Sequence, residues 1–424
     1  MRALALIDGE HYAPVVRDAL AELPYDVVGA LLVGGTEKLR GADDYGVPAV
    51  HTLDEALSRF QPEVAVDLSD EPVLGPRERF RLASEILARG IPYEGADFTL
   101  RPPVYERFEL PSLAVIGTGK RLGKTAVTGY AARTLAKRHD LVVVSMGRGG
   151  PAEPQLAELS PTVDDLLALS RAGAHAASDY LETAALAGVP TIGCRRAGGG
   201  LAGATWATNL AEGMRKAVER DPELVLFDGS GAAIPPVAAN ARILVAGANQ
   251  GADLVTGYLN AYRILVSDLV VLTMAEEGTD HEPVAAAVSA VKDVPVVATV
   301  LRPRPVMPVE GRSVSFFTTA APSAAALLER HLLDEHGAAE VTVSTNLADR
   351  AELRRDLERT DADLYVVEIK AAAIDVVAEA AQERGVELVF ADNDVVALPG
   401  QTDLAEELRR LAERVTARPT EAVA

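Results

Sequence analysis

Leu113-Ala-Val-Ile-Gly-Thr-Gly-Lys-Arg-Leu-Gly-Lys-Thr-Ala-Val-Thr-Gly-Tyr, residues 113–130, reads as an apolar strand, a glycine-bracketed loop carrying Lys-Thr, and the start of a helix. Glycines 117, 119 and 123 let the backbone bend so that successive N–H groups converge on phosphate oxygens. A helix beginning near Lys124 aims its positive dipole end at the same anion. The loop Gly117, Thr118, Gly119, Lys120, Arg121, Leu122 and Gly123 is therefore the expected cradle of a nucleoside triphosphate. Lys124 is placed to reach the β- and γ-phosphates, and the Thr125 hydroxyl to help hold Mg²⁺. The spacing departs from the commonest phosphate loop, because five residues rather than four separate Gly117 from Gly123. Lys120 or Arg121 could lean over the nucleotide and stabilise charge during phosphoryl transfer, or face solvent, with Lys120 the preferred catalytic candidate.

Working outward, three further segments end a run of apolar residues in glycines and charge. Leu224-Val-Leu-Phe-Asp-Gly-Ser-Gly places Asp228 at a strand end, as a Mg²⁺ partner or a helix cap, with Gly229 and Ser230 close enough to meet a substrate. Val142-Val-Val-Ser-Met-Gly-Arg-Gly-Gly-Pro sets Arg148 in a glycine turn, where a guanidinium can clamp phosphate or carboxylate. Thr191-Ile-Gly-Cys-Arg-Arg-Ala-Gly-Gly-Gly carries Arg195 and Arg196, which point to opposite sides if extended and to one anion if the chain turns. Ligands of doubly wound sheets bind outside such strand ends. His175, in Ala174-His-Ala-Ala-Ser-Asp-Tyr, is a candidate phosphate ligand or a structural histidine. Cys194 reads as a small buried residue rather than a nucleophile.

The 424 residues carry 41 basic and 62 acidic side chains, a formal charge of −21, which argues against nucleic-acid and anionic-membrane partners. Paired arginines stand out against that background and point to a small polyanionic substrate. A single cysteine allows neither an intramolecular disulfide nor a cysteine-based metal cluster. Asp8 interrupts the amino-terminal apolar run too early for a signal peptide, and no apolar run is long enough to span a bilayer. A soluble, cytoplasmic protein is expected.

Short β-branched runs alternate with alanine-rich amphipathic stretches, the pattern of α/β layers. The expected fold class is α/β, with a P-loop NTPase-like central parallel sheet flanked by smaller α/β domains. Residues 1–105 form a Rossmann-like unit with strands at Ala3–Ile7, Val27–Val33, Val64–Leu68 and near Pro92–Glu94. Residues 110–308 form the nucleotide- and substrate-binding unit, and 312–415 a smaller α/β unit. Leu100–Leu110 and the proline-rich Leu301–Gly311 are the expected boundaries. Strands of the last unit are expected at Ser313–Thr318, Glu340–Ser344, Leu364–Ile369 and Glu387–Phe390. The polar tail after about Arg414 is expected to fray.

Taken together, the segments resemble the cyclic 2,3-diphosphoglycerate synthetase family. The matching stretches are Ile7-Asp-Gly-Glu-His-Tyr, Gly117-Thr-Gly-Lys-Arg-Leu-Gly-Lys-Thr-Ala, Met146-Gly-Arg-Gly-Gly-Pro and His175-Ala-Ala-Ser-Asp. They continue with Gly193-Cys-Arg-Arg-Ala-Gly-Gly-Gly, Asp228-Gly-Ser-Gly-Ala-Ala-Ile-Pro-Pro-Val, Phe316-Phe-Thr-Thr-Ala and Leu347-Ala-Asp-Arg, so they span almost the whole chain. The loop alone also resembles that of dethiobiotin synthetase, which shares the five-residue gap. The resemblance implies a homodimeric ligase that uses ATP and Mg²⁺ to close 2,3-diphosphoglycerate into an intramolecular phosphoanhydride. The competing readings are a dethiobiotin-synthetase-type ligase for another small acid, and a nucleotide-driven switch of the partitioning-ATPase type. Asp8, Glu10 and His11 either close over the ligands or organise the domain interface. Thr273 and Arg302 are weighed for adenine recognition.

Overall fold

The computed structural model describes residues 1–40, 44–158, 160–173, 176 and 178–417. The amino-terminal strands Arg2–Ile7, Asp26–Leu32 and Val64–Asp67 are apolar runs that lie parallel at the centre of a six-stranded sheet. Helices Ala13–Glu22, Leu53–Phe60 and Pro76–Leu87 alternate with them. The connection to the next unit is docked rather than free. The Tyr105 and Tyr262 hydroxyls lie 2.7 Å apart, and Phe108 meets Phe227 edge-on at 5.0 Å.

The phosphate-loop strand Ser112–Gly117 runs parallel between Leu224–Asp228 and Ala241–Gly247. Leu141–Gly147 and Thr191–Ala197 extend the sheet beyond Leu224–Asp228, and Leu269–Thr273 and Val296–Pro305 extend it beyond Ala241–Gly247. Every residue of Ser112–Gly117, Leu141–Gly147 and Leu224–Asp228 is buried, as both-face coverage by helices demands. Their β-branched runs supply one apolar layer to each side, so the carboxyl ends of the strands form one rigid rim.

At the far side the sheet does not stop. Val296–Pro305 pairs antiparallel with Glu387–Ala397, which continues parallel to Leu364–Glu368 and Ser313–Phe317, giving a single 13-stranded sheet. The expected boundary at Leu301–Gly311 is therefore strand as far as Pro305, and the strand expected to end at Phe390 runs on to Ala397. Pro303 and Pro305 are tolerated because Leu269–Thr273 pairs only with Val296–Ala298, so the rest of the strand has one neighbour and a missing N–H breaks no second ladder. Arg304 lies opposite Asp392 and 3.3 Å from its carboxylate, so charge supports a register that apolar patterning does not announce. Because this pair is antiparallel, the carboxyl ends of the two parallel halves point toward each other along it.

Candidate active site

The loop after Ser112–Gly117 is held from both sides. The Thr118 N–H donates to Val245 O at 3.1 Å, and the Thr273 hydroxyl donates to Leu122 O at 2.6 Å. Gly123 sits at φ +74°, and a Cβ there would lie 2.5 Å from Leu301 Cδ1, so the position needs glycine for conformation and for space. A Cβ on Gly117 would stand 3.0 Å from Gly231 O, which packs the phosphate loop against the loop after Asp228. Helix Lys124–Leu135 then starts with no side chain capping its amino terminus. Its first N–H groups have no side-chain acceptor, and in the loop before it the buried Thr118 hydroxyl has no partner.

Asp228 is fully buried at the adjacent strand end. Lys124 Nζ and Thr128 Oγ1 both donate to its Oδ1, the latter at 2.7 Å, and Ser145 Oγ lies 3.5 Å from Oδ2. Burial pushes the Asp228 pKa up and the Lys124 charge opposes that shift. The structure therefore puts the loop lysine and the strand-end acid in contact within one pocket of polar groups. Oδ2, with only a long hydroxyl contact, and the half-buried Thr125 at the next helical position are the oxygen donors that a Mg²⁺ ion favours, so these residues fit that ion.

Arg196 reaches the same place from Thr191–Ala197. Its Nη2 donates to Ser230 O at 2.8 Å and its Nη1 to Gly198 O at 2.6 Å, leaving a buried Nε without a partner. Burial, and then the charge of Arg148, lower its pKa, while Asp179 opposes them. A Cβ on Gly231 would lie 3.3 Å from Lys120 Cγ and 3.9 Å from Arg196 Nη2, which sets Lys120, Ser230 and Arg196 around one loop. Gly229 ties that loop down by donating to Val115 O at 2.9 Å. Lys120, Arg121 and Arg148 are exposed, with Arg121 at φ +58°. Arg195 is also exposed; its N–H donates to Asn209 Oδ1 at 2.7 Å, and extension of the strand directs its side chain away from that of Arg196. His175 lies outside the described residues.

Other candidates resolve into structural parts. Thr273 is fully buried with its hydroxyl committed to Leu122 and Ala246 carbonyls. Arg302 makes a bidentate pair with Glu276 at 2.8 and 2.9 Å. Neither side chain is available to an adenine. Cys194 packs against Gly213 with its thiol pushed up to about 12 by burial, as befits a small core residue. Asp8 accepts from the Glu10 and Asp70 N–H groups and from His11 Nδ1, and Glu10 accepts from the Thr36 and Glu37 N–H groups. These contacts organise the amino-terminal unit itself.

A second polar group, absent from the sequence-derived candidates, faces the first. Lys370 Nζ lies 3.8 Å from Glu182 and 3.9 Å from Glu368, and Glu368 accepts from the Thr319 N–H and hydroxyl and from Asn393 Nδ2. The Glu182 carboxyl, on helix Asp179–Ala187, is pushed up to about 8 by burial, and Asp179 and Asp228 add to that shift. Glu368 is held below the carboxylate range by Lys370 and its hydrogen bonds, although burial opposes this. Lys370 is thus paired chiefly with Glu368, and Glu182 keeps its proton near neutrality. The signal available in sequence was indirect: Thr319 and Asp179 fall inside the quoted Phe316-Phe-Thr-Thr-Ala and His175-Ala-Ala-Ser-Asp stretches, whereas Lys370 ends an ordinary apolar strand.

Three family models match consecutive stretches of the chain. They describe the cyclic 2,3-diphosphoglycerate synthetase N-terminal domain over residues 2–101, its P-loop domain over 112–303 and its C-terminal domain over 305–394. A protein of Rubrobacter xylanophilus named cyclic 2,3-diphosphoglycerate synthetase is 51% identical, with 94% of this chain and 95% of that one covered. Proteins of the same name from Methanothermobacter thermautotrophicus and Pyrococcus abyssi are 39% and 41% identical. The alignments cover 98% and 97% of this chain, and 96% and 98% of theirs.

Proposed function

The chain belongs to the cyclic 2,3-diphosphoglycerate synthetase family, and from that premise we propose that it closes 2,3-diphosphoglycerate into its cyclic phosphoanhydride with ATP, releasing ADP and inorganic phosphate. The observation that carries the residue assignment is the meeting of Lys124, Asp228 and Arg196 at one rim of the sheet. Joining two phosphates as an anhydride is uphill in water, so one substrate phosphate first takes the γ-phosphoryl group. Its oxygen bonds to the γ-phosphorus as the bond to ADP breaks. An oxygen of the second phosphate then bonds to the activated phosphorus and inorganic phosphate leaves. Both nucleophiles are already ionised, so no general base is needed.

The residues divide this work. The uncapped helix N–H groups and Lys124 hold the β- and γ-phosphates, with Lys120 above them. Thr125 and Asp228 would hold Mg²⁺, which neutralises phosphate charge. Lys124, now on Asp228, then turns its ammonium to the nucleotide, exchanging one anion for another. Arg196 and Arg148, with the Gly229–Ser230 backbone, hold the two repelling phosphates of the acid close together, and Arg195, leaving the strand on its other side, adds positive charge at longer range.

Incubation with ATP, Mg²⁺ and 2,3-diphosphoglycerate should give a product one water lighter than the acid, with one ADP per ring closed, by mass spectrometry. ADP release with a different acid but not this one would assign the site to a related ligase. ATP turnover that needs a protein partner and no acid would assign it to a switch. No helix among the described residues is long and apolar enough to cross a membrane, and the cytoplasm fits the charge and the substrate. The homodimer suggested by the family is checked by light scattering.

A further inference from the structure

The cavity at the other end of the phosphate-loop helix has no part in the scheme above. It measures about 520 Å³, within the range of small-ligand sites, and lies against the last turns of Lys124–Leu135 and the residues after them. At 1.5 Å per residue, Arg133 stands roughly 14 Å along the helix from Lys124. Its walls include Arg133, Lys137, Arg138, Arg304 and Arg409, the Tyr130 ring, and Asp394 as the one acid. Five cations around one hollow are unexpected in a chain of formal charge −21.

The local acids offset this charge only in part. Asp392, beneath the cavity wall, accepts from Arg133 and Arg304, and Arg133 donates to Asp394 at 2.9 Å. Arg304 Nε is 3.4 Å from Asp394 yet forms no hydrogen bond, and the atom is buried. The rim is looser still. Arg138 stands 3.6 Å from Glu413 and Arg409 3.8 Å from Asp403, both beyond hydrogen-bond length, and Lys137 makes no ion pair among the described residues. Arg133, after burial, has its pKa lowered by Arg304, to about 10, so the two guanidinium groups repel each other. Rim cations without close acceptors, two guanidinium groups sharing one carboxylate, and a half-open hollow of this volume together describe a site suited to an anion larger than one phosphate.

We propose that this cavity binds a small polyanion of the diphosphate class, held by Arg304, Lys137 and Arg409, at a site separate from the phosphate loop. The inference does not rest on the catalytic assignment, because none of its residues belongs to that rim. Lys137 gives a local readout in the intact protein. Acylation of surface lysines with an N-hydroxysuccinimide acetate, mapped by mass spectrometry, should be slowed at least fivefold at Lys137 by millimolar inorganic diphosphate. Exposed Lys216 should be unaffected. Arg409→Ala should remove the protection, and Arg138→Ala, at a more exposed position, should weaken it if the first variant melts early. Equal protection by sodium chloride at matched ionic strength, protection of Lys216 to the same degree, or protection that survives both substitutions would overturn the proposal.

Discussion

Two buried aspartates flank one helix and are used in opposite ways. Asp228 meets Lys124 and Thr128 in its first turns, while Asp392 meets Arg133 near its end together with Arg304. Both carboxylates are nearly inaccessible, at 0% and 5% exposure. Around Asp228 the neighbours are glycine loops and uncapped N–H groups, so the single ammonium can be passed to a ligand. Around Asp392 two planar guanidinium forks arrive from different elements, Arg133 from the helix and Arg304 from the strand opposite. The same charge pairing is thus transferable in one place and a fastening between the two halves of the sheet in the other. A compact lysine beside a helix start suits the first role, and arginine suits the second.

That contrast is broken most easily at Lys124. Lys124→Ala should lower ADP release at saturating ATP and acid by about 10³-fold, the loss of a charged donor to a transferring phosphoryl group. A fall of less than tenfold would mean that the ammonium stays on Asp228 throughout. Asp392→Ala should act on the fold instead. Taking one of two carboxylates from two half-buried guanidinium groups, with Asp394 still beside both, costs about 2 kcal/mol, read as a lower urea midpoint. Turnover by the protein that remains folded should change far less than in Lys124→Ala. The reverse pattern, stable protein with abolished turnover, would make Asp392 part of the chemistry.

The same contrast explains what could be read in the sequence. The phosphate loop, Asp228 and the arginine turns are local signals, in which glycine spacing and an apolar run fix position within a few residues. The shared sheet was not legible, because its joining strands break local rules. Val296–Pro305 contains prolines, and Glu387–Ala397 contains Asp392-Asn-Asp, which reads as a turn. Each is stabilised by the other, through Arg304 paired with Asp392 and Asp394, some ninety residues away in sequence. Lys370 was missed for a related reason: nothing near it in the chain marks it, and its meaning comes from Glu182 on a helix of the central unit.

Within the catalytic rim the adjacent arginines sharpen the comparison further. Arg196 is anchored on Ser230 with an Nε that has no partner, whereas strand alternation sends Arg195 to the other side. Arg196→Ala should raise the KM for 2,3-diphosphoglycerate by about 10- to 30-fold, the worth of one charged hydrogen-bonding group, and change the KM for ATP less. Arg195→Ala should shift the same preference in the same direction by a smaller factor. Steady-state titrations of each substrate separate the two, and a larger effect at Arg195 would show that the strand turns to bring it inward.

The smallest effect concerns the proton on Glu182, the counterpart of Asp228 whose nearest ammonium, Lys370 at 3.8 Å, is shared with Glu368. Its folded pKa of about 8 lies above the ordinary value of 4.5, so between those limits the folded chain holds a proton that the unfolded chain has released. Stability from this group is therefore fully present below about pH 4.5 and is lost as pH rises toward 8. Glu182→Gln keeps the shape and removes the titration. Its stability relative to the parent should rise by about 1 kcal/mol between pH 6 and 7, slightly less than the full proton-linkage slope because the folded chain begins to release this proton as the pH nears 8. Urea unfolding at pH 6, 7 and 8 measures this. A difference that stays flat across the three would mean that Glu182 is already ionised and that Lys370 divides its charge between two carboxylates, making the cluster a second fastening like Asp392 rather than a proton-holding neighbour of the catalytic rim.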